Sequence, residues 1–90
     1  MSTVTRLLLG GRADRVAGVS YADAAGVEHK VAASVVVLAA YSVQTPRLLL
    51  ASATDRFPAG LANRSGAVGR GMMAHISGDV LGLFPGETAP

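Results

Sequence analysis

The sequence predicts an α/β fold, present within these residues as α+β: an antiparallel meander followed by one parallel-sheet strand and its helix. Three observations predict it. Short apolar runs separated by glycine turns occupy the first third of the chain. A run that is apolar on both faces, Val35–Ala40, comes next. A Thr-Pro pair then opens a leucine-rich stretch with helical spacing.

The first run, Thr3 to Leu9, is closed by the flexible pair Gly10-Gly11, and the second, Arg15 to Tyr21, ends near Asp23 before a turn at Ala25-Gly26. In the third, Val27, His29 and Val31 alternate with Glu28 and Lys30, the two-residue period of a half-buried strand. Val35–Ala40 lacks that alternation, as befits a parallel strand covered by helices on both sides. Thr45 reads as the N-cap of the next helix and Pro46 as its first residue, because a helix start tolerates proline's missing N–H. Leu48, Leu49 and Leu50 supply the apolar stripe of that helix, which should run to about Ala53. Beyond Thr54 the glycines and prolines crowd together and predict loop, with a short helix over Arg70–Ala74. Ile76 to Phe84 reads as one more strand, interrupted by Gly78 and Gly82 and ended by Pro85-Gly86.

Half of the 90 residues are apolar but only 4% are aromatic, so the core must be aliphatic. Charged residues make up 16%, against roughly 25% in ordinary soluble domains, so part of this surface should face other protein. The net charge is +2 and the arginines are dispersed, with no basic stripe for nucleic acid. The absence of cysteine excludes a disulfide frame, a thiolate metal site and a cysteine nucleophile. Arg6 interrupts the apolar start, so no leader peptide is legible, and the longest apolar run, Val35 to Tyr41, is far below the roughly 20 residues of a spanning helix.

In an open α/β sheet, ligands sit at the carboxyl ends of the strands, where the following helix points its amides outward. Residues 40–45 occupy that place, as either a ligand-contacting turn or a purely structural one. Gly66-Ala67-Val68-Gly69-Arg70-Gly71 has its glycines in the reverse spacing of a dinucleotide fingerprint and reads as a tight turn. His29 is expected on the buried or semi-buried face of its strand. His75 is the one acid–base candidate, though a packed or capping histidine is the favoured reading. No serine has a nucleophile-elbow context, and Asp14, Asp23, Asp55 and Asp79 read as turn or surface residues. Asn63-Arg64-Ser65 matches a glycosylation sequon, which matters only in a secreted eukaryotic protein. These residues assign no catalytic group and no metal ligand to the chain.

The stretch Val35-Val36-Val37-Leu38-Ala39-Ala40-Tyr41-Ser42-Val43-Gln44-Thr45-Pro46-Arg47-Leu48-Leu49-Leu50-Ala51-Ser52 resembles a signature region of the glucose–methanol–choline (GMC) oxidoreductases. A second block, from Gly60-Leu61-Ala62-Asn63 to Met72-Met73-Ala74-His75, is similar to the segment that follows it in that family, with the gluconate-dehydrogenase-type flavoproteins nearest in character. The resemblance implies a piece of an enzyme that uses flavin adenine dinucleotide (FAD) and passes hydride from the CH–OH group of an alcohol, polyol or sugar to the flavin. It implies that residues 1–55 are part of an FAD-binding domain and that residues 56–90 begin a cofactor-covering or substrate-side segment. Cofactor contact is carried onto Val4, Ala40 and Tyr41. The implied partners are the remainder of the flavoprotein and a cytochrome or quinone electron acceptor.

Two features depart from the family pattern. Tyr41 stands where many members have glycine, and the usual Ser-Gly-hydrophobic-Gly ending is Ser52-Ala53-Thr54-Asp55. Neither the amino-terminal glycine fingerprint that holds the pyrophosphate nor the carboxyl-terminal histidine segment of the family lies within these residues, so the chain is expected to be inactive alone. The alternative is a small non-catalytic α+β interaction module, or a degenerate gene remnant, binding a partner through exposed apolar faces.

Overall fold

The computed structural model describes residues 1–11, 15–83 and 85–86, and its elements run β1 (Thr3–Leu9), β2 (Val16–Ala22), β3 (Glu28–Ala32) and α1 (Tyr41–Ala51). Arg12, Asp14 and Phe84 lie outside the described residues. The three strands form one antiparallel sheet in the order β1-β2-β3, the meander that the sequence predicts. Asp23 makes the second turn, as a turn aspartate should: its Oδ1 accepts the N–H groups of Ala25 and Val27, each at 2.9 Å. Gly26 takes the positive φ of 80° that this turn needs.

Directly opposed residues of an antiparallel pair share a face. Leu7 opposes Val19, and Val19 opposes Val31, so these three side chains cross the sheet in a row. Helix α1 packs on β1 and covers the row at one end only. Leu7 is buried there with Leu48 of α1 and Leu61 of the following loop, and these form the core. At the other end Val31 remains 48% exposed. The expected half-buried third strand is therefore an exposed edge, because no layer among the described residues reaches it. His29, expected on a buried or semi-buried face, is exposed for the same reason.

Residues 35–40 make no ladder hydrogen bonds among the described residues. Their two-faced apolarity is still visible in the packing. Val36 and Leu38 lean on the core, while Val35 and Val37 are 77% and 81% exposed. One face is covered and the other is bare.

The helix begins earlier than its sequence signals indicate. Tyr41 is its first residue, Ala40 is the N-cap with no side-chain hydrogen bond, and Thr45 lies in the second turn, where it caps nothing. Pro46 is inside the helix and deprives Ser42 of the N–H that its carbonyl would otherwise accept. The segment after α1 folds back on it: the Leu61 N–H donates to the Leu49 carbonyl at 3.0 Å. Gly60 permits this approach. It has a φ of 94°, and a Cβ there would come within 2.9 Å of the Leu50 Cα. Asn63 closes the loop, donating to the Ala59 carbonyl and accepting the Val68 N–H. The short helix expected over Arg70–Ala74 does not form, since Gly69 and Gly71 take positive φ values of 79° and 67° around Arg70. The strand expected from Ile76 is absent as well, because a strand requires a ladder partner and none is present among the described residues. The radius of gyration is 20.2 Å, well above the roughly 12 Å of a compact chain of this length.

Charge–hydrogen-bond pairs hold the β2–β3 hairpin together. Asp23 Oδ2 lies 2.8 Å from His29 Nε2, and the His29 ring stacks on Tyr21 with centroids 5.2 Å apart. Ser20, buried on β2, donates its hydroxyl to the Glu28 carboxylate, which also accepts from Thr5 Oγ1 at 3.2 Å. The contact with His29, then the Val27 amide, holds the Asp23 carboxyl below its ordinary pKa, and the Ser20 hydroxyl does the same for Glu28.

Two outcomes follow for the meander. Gly18 lies against β3 so closely that an added Cβ would sit 2.2 Å from the Val31 carbonyl oxygen. Gly18→Ala should therefore cost about 2 kcal/mol or more and release β3, read as faster amide exchange across residues 28–32. Gly11→Ala, with nothing within 4 Å, should change little. The second outcome concerns pH. Both carboxylates titrate below their ordinary values when folded, so they stabilise the hairpin at neutral pH, and that contribution is lost as pH falls through their folded-state values. Amide chemical shifts of Ala25 and Val27 followed from neutral to about pH 3 should report the loosening. Asp23→Asn should remove the Asp23 share of that dependence.

Candidate functional site

Val4 and Ala40, far apart in sequence, line one cleft of about 390 Å³. Strand β1 supplies Val4 and Leu7 to one wall. The segment entering α1 supplies Val37, Ala39 and Ala40, and Leu48 of the helix stands at the base. A bulge between Val4 and Arg6 lets Val4 and Leu7 share that face. The cleft is entirely aliphatic, with no charged or hydroxyl side chain on its lining.

Tyr41 follows Ala40 directly but is not a wall of the cleft. It is 75% exposed and has a φ of 68°, the left-handed region that glycine enters freely and a tyrosine only at a cost. The sharp turn from segment to helix is made at this residue, which accounts for the suitability of glycine at the position. The sequence therefore identified two residues that the fold brings together and a third that adjoins them. His75 is exposed in the segment without regular structure and joins none of them.

The cleft offers a flat aromatic ring aliphatic walls and a strand backbone, with no side-chain hydrogen-bond partner on its lining. It does not fit a pyrophosphate, since its lining carries neither a cation nor a glycine-rich helix start. A second groove, of about 640 Å³, lies on the other side of residues 36–38, between β1 and the post-helix loop, with Arg56 and Arg64 among its lining residues. Val36 and Leu38 line both hollows, so this one segment separates them.

Sequence reading missed two polar arrangements near the cleft. Val4 opposes Tyr21 and Tyr21 opposes His29, so the stacked Tyr21–His29 pair and its Asp23 partner continue the row that begins at Val4. The six-residue spacing of Asp23 and His29 signals nothing until the hairpin closes. The other is Ser52, fully buried just past α1, whose Oγ accepts the Leu7 N–H at 2.8 Å and donates to the Leu48 carbonyl at 2.6 Å. Among the described residues no three histidine, aspartate or glutamate side chains converge, and no helix is long and apolar enough to cross a membrane.

Comparison with known proteins identifies the family. Residues 1–77 match the GMC oxidoreductase family. The fructose dehydrogenase large subunit of Gluconobacter japonicus is 45% identical over 62 residues, which is 69% of this chain and 11% of that protein. The 2-methyl-1,2-propanediol dehydrogenase of Mycolicibacterium austroafricanum is 44% identical over 63 residues, again 69% of this chain and 11% of the relative. Paromamine 6'-oxidase of Streptomyces fradiae is 38% identical over 79 residues, 87% of this chain and 15% of the relative. The chain thus spans between 11% and 15% of the length of these curated relatives. With a family match that runs through the meander, the helix and the loop behind it, the chain belongs to the GMC oxidoreductase family.

Proposed function

We propose that the chain is a central piece of an FAD-dependent oxidoreductase acting on CH–OH groups of alcohols, polyols or sugars. The observation that carries this reading is the cleft that brings Val4 and Ala40 together in a chain of this family. When bound, FAD accepts a hydride from the alcohol carbon. The work of these residues is to bind and orient. Val4 offers strand backbone to the adenine, Leu7 and Leu48 hold the aliphatic walls, and Ala40 and Tyr41 bring the turn into α1 alongside the dinucleotide. A small residue at Ala40 keeps the backbone approachable.

Residues 35–40 have the composition of a parallel strand in the sheet of that FAD-binding domain, and the bare side at Val35 and Val37 is where further protein would cover it. On this reading residues 1–55 form part of the FAD-binding domain and residues 56–90 begin a cofactor-covering or substrate-side segment. The remainder of the flavoprotein would supply the pyrophosphate loop and the proton acceptor, and its partner would be a cytochrome or quinone electron acceptor. The names of two relatives, a fructose dehydrogenase large subunit and a 2-methyl-1,2-propanediol dehydrogenase, support a sugar or polyol substrate. The 90 residues alone are inactive, because nothing on the cleft lining holds phosphate.

The test uses the intact flavoprotein that contains this chain. It should purify with FAD and show bleaching of the flavin absorbance when a polyol or sugar is added without an acceptor. The isolated chain should give no saturable change in flavin fluorescence at micromolar concentrations. A flavin-free intact protein would overturn the reading.

Tyr41→Gly should relieve left-handed strain of about 1–2 kcal/mol, offset in part by about 0.5–1 kcal/mol of glycine backbone entropy. Thermal stability should therefore hold or rise slightly, and FAD content should hold. Loss of FAD at unchanged stability would show instead that the Tyr41 ring itself contacts the cofactor.

A further inference from the structure

Ser52 is 0% exposed, and its hydroxyl both accepts and donates a hydrogen bond. It accepts the Leu7 N–H at 2.8 Å and donates to the Leu48 carbonyl at 2.6 Å. A hydroxyl carries one donor and two acceptor positions, so the donor and one acceptor are spent on two separate elements. Among the described residues, this is the one hydrogen bond that joins β1 to the end of α1. Its two partners are also two walls of the cleft, since Leu7 and Leu48 both line it. Ser52 itself does not.

The geometry points to Ser52 as a positioning residue: by bridging Leu7 and Leu48 it sets the distance between the strand that carries Val4 and the helix that begins at Tyr41. It thereby sets the width of the cleft. This inference rests on the reading of that cleft as the adenine site, and it goes further by assigning dinucleotide selectivity to a residue that touches no ligand. Packing alone would not fix the strand this way. Apolar contacts between Leu7 and Leu48 tolerate sliding, whereas a hydrogen bond weakens steeply with misalignment. The Leu7 N–H also has no alternative partner in its buried position, so the bridge cannot loosen without stranding a polar group.

The experiment compares FAD with flavin mononucleotide, which shares the isoalloxazine ring and lacks the adenine. Apoprotein of the intact flavoprotein is reconstituted with each, for wild type and Ser52→Ala, and the two affinities are measured. Loss of one buried hydrogen bond is expected to weaken FAD by on the order of tenfold, with mononucleotide affinity unchanged. The Leu7 amide should lose its exchange protection in the same variant. Ser52→Cys, somewhat larger but retaining a weak donor and a weak acceptor, should fall between, and it carries the comparison if Ser52→Ala does not accumulate as folded protein. An equal loss of both flavins, or a lower melting temperature with the affinity ratio unchanged, would make Ser52 a structural residue only and overturn the proposal. A wild-type protein that retains flavin yet does not prefer FAD would instead remove the adenine reading of the cleft, and this inference with it.

Discussion

The contact of Leu7 on β1 with Leu48 on α1 is the constraint on which the remaining structure depends. Three leucines from three parts of the chain, Leu7, Leu48 and Leu61, are buried together, and the partly covered side chains of Leu9, Val19, Val36, Leu38, Leu49 and Phe57 gather around them. Each fully buried leucine contributes about 1.5–3 kcal/mol of apolar burial. With so little buried, none of the three is redundant. The helix has no favourable start of its own, with an uncapped N-terminus, a left-handed first residue and an internal proline. Its stability comes from the face it lays on β1, as is usual for short helices.

The meander was legible because its signals are local. Period-two alternation, glycine turns and a turn aspartate each act within a few residues, and the strands and the Asp23 turn form where these signals put them, although β3 is exposed along its length. The helix start was misread for an equally local reason: Thr45-Pro46 has the chemistry of a cap and a first residue, and nothing nearby announces that the chain turns at Tyr41 first. Residues 35–40 show the opposite limit. Their apolar character on both faces is encoded in their own side chains, but a strand consists of hydrogen bonds to neighbours, and this segment has none among the described residues. Of the candidate site, Val4 and Ala40 come from family resemblance, not from any property of valine or alanine. Ser52 was invisible because a serine at a helix end acquires its role only when a strand 45 positions earlier is laid against it.

The low charge content also finds its explanation in the structure. Val27, Val31, Val35, Val37, Met72, Met73, Ile76, Val80, Leu81 and Leu83 are all at least 48% exposed. They form the outer sheet edge, the bare face of residues 35–37 and the segment beyond Gly71. A surface of this kind is uncommon on a free monomer and common where protein meets protein. It agrees with relatives several times longer than the matched region, in which such faces have more chain to meet.

The Leu7–Ser52 hydrogen bond also bears on the order in which the chain assembles. The β1–β2 and β2–β3 pairings join neighbouring segments, and hairpins of that kind close in about 1–10 μs. Ser52 reaches Leu7 across 45 intervening steps of chain, and a loop of that length carries a larger entropic cost to close. In synthesis, the whole meander precedes the serine that must meet it. Chain topology thus favours pairing of the sheet ahead of the cleft, which is complete only when the helix end docks. Until that moment Leu7 is uncovered on a strand edge, which makes docking of the helix end the step that separates productive folding from edge-to-edge association.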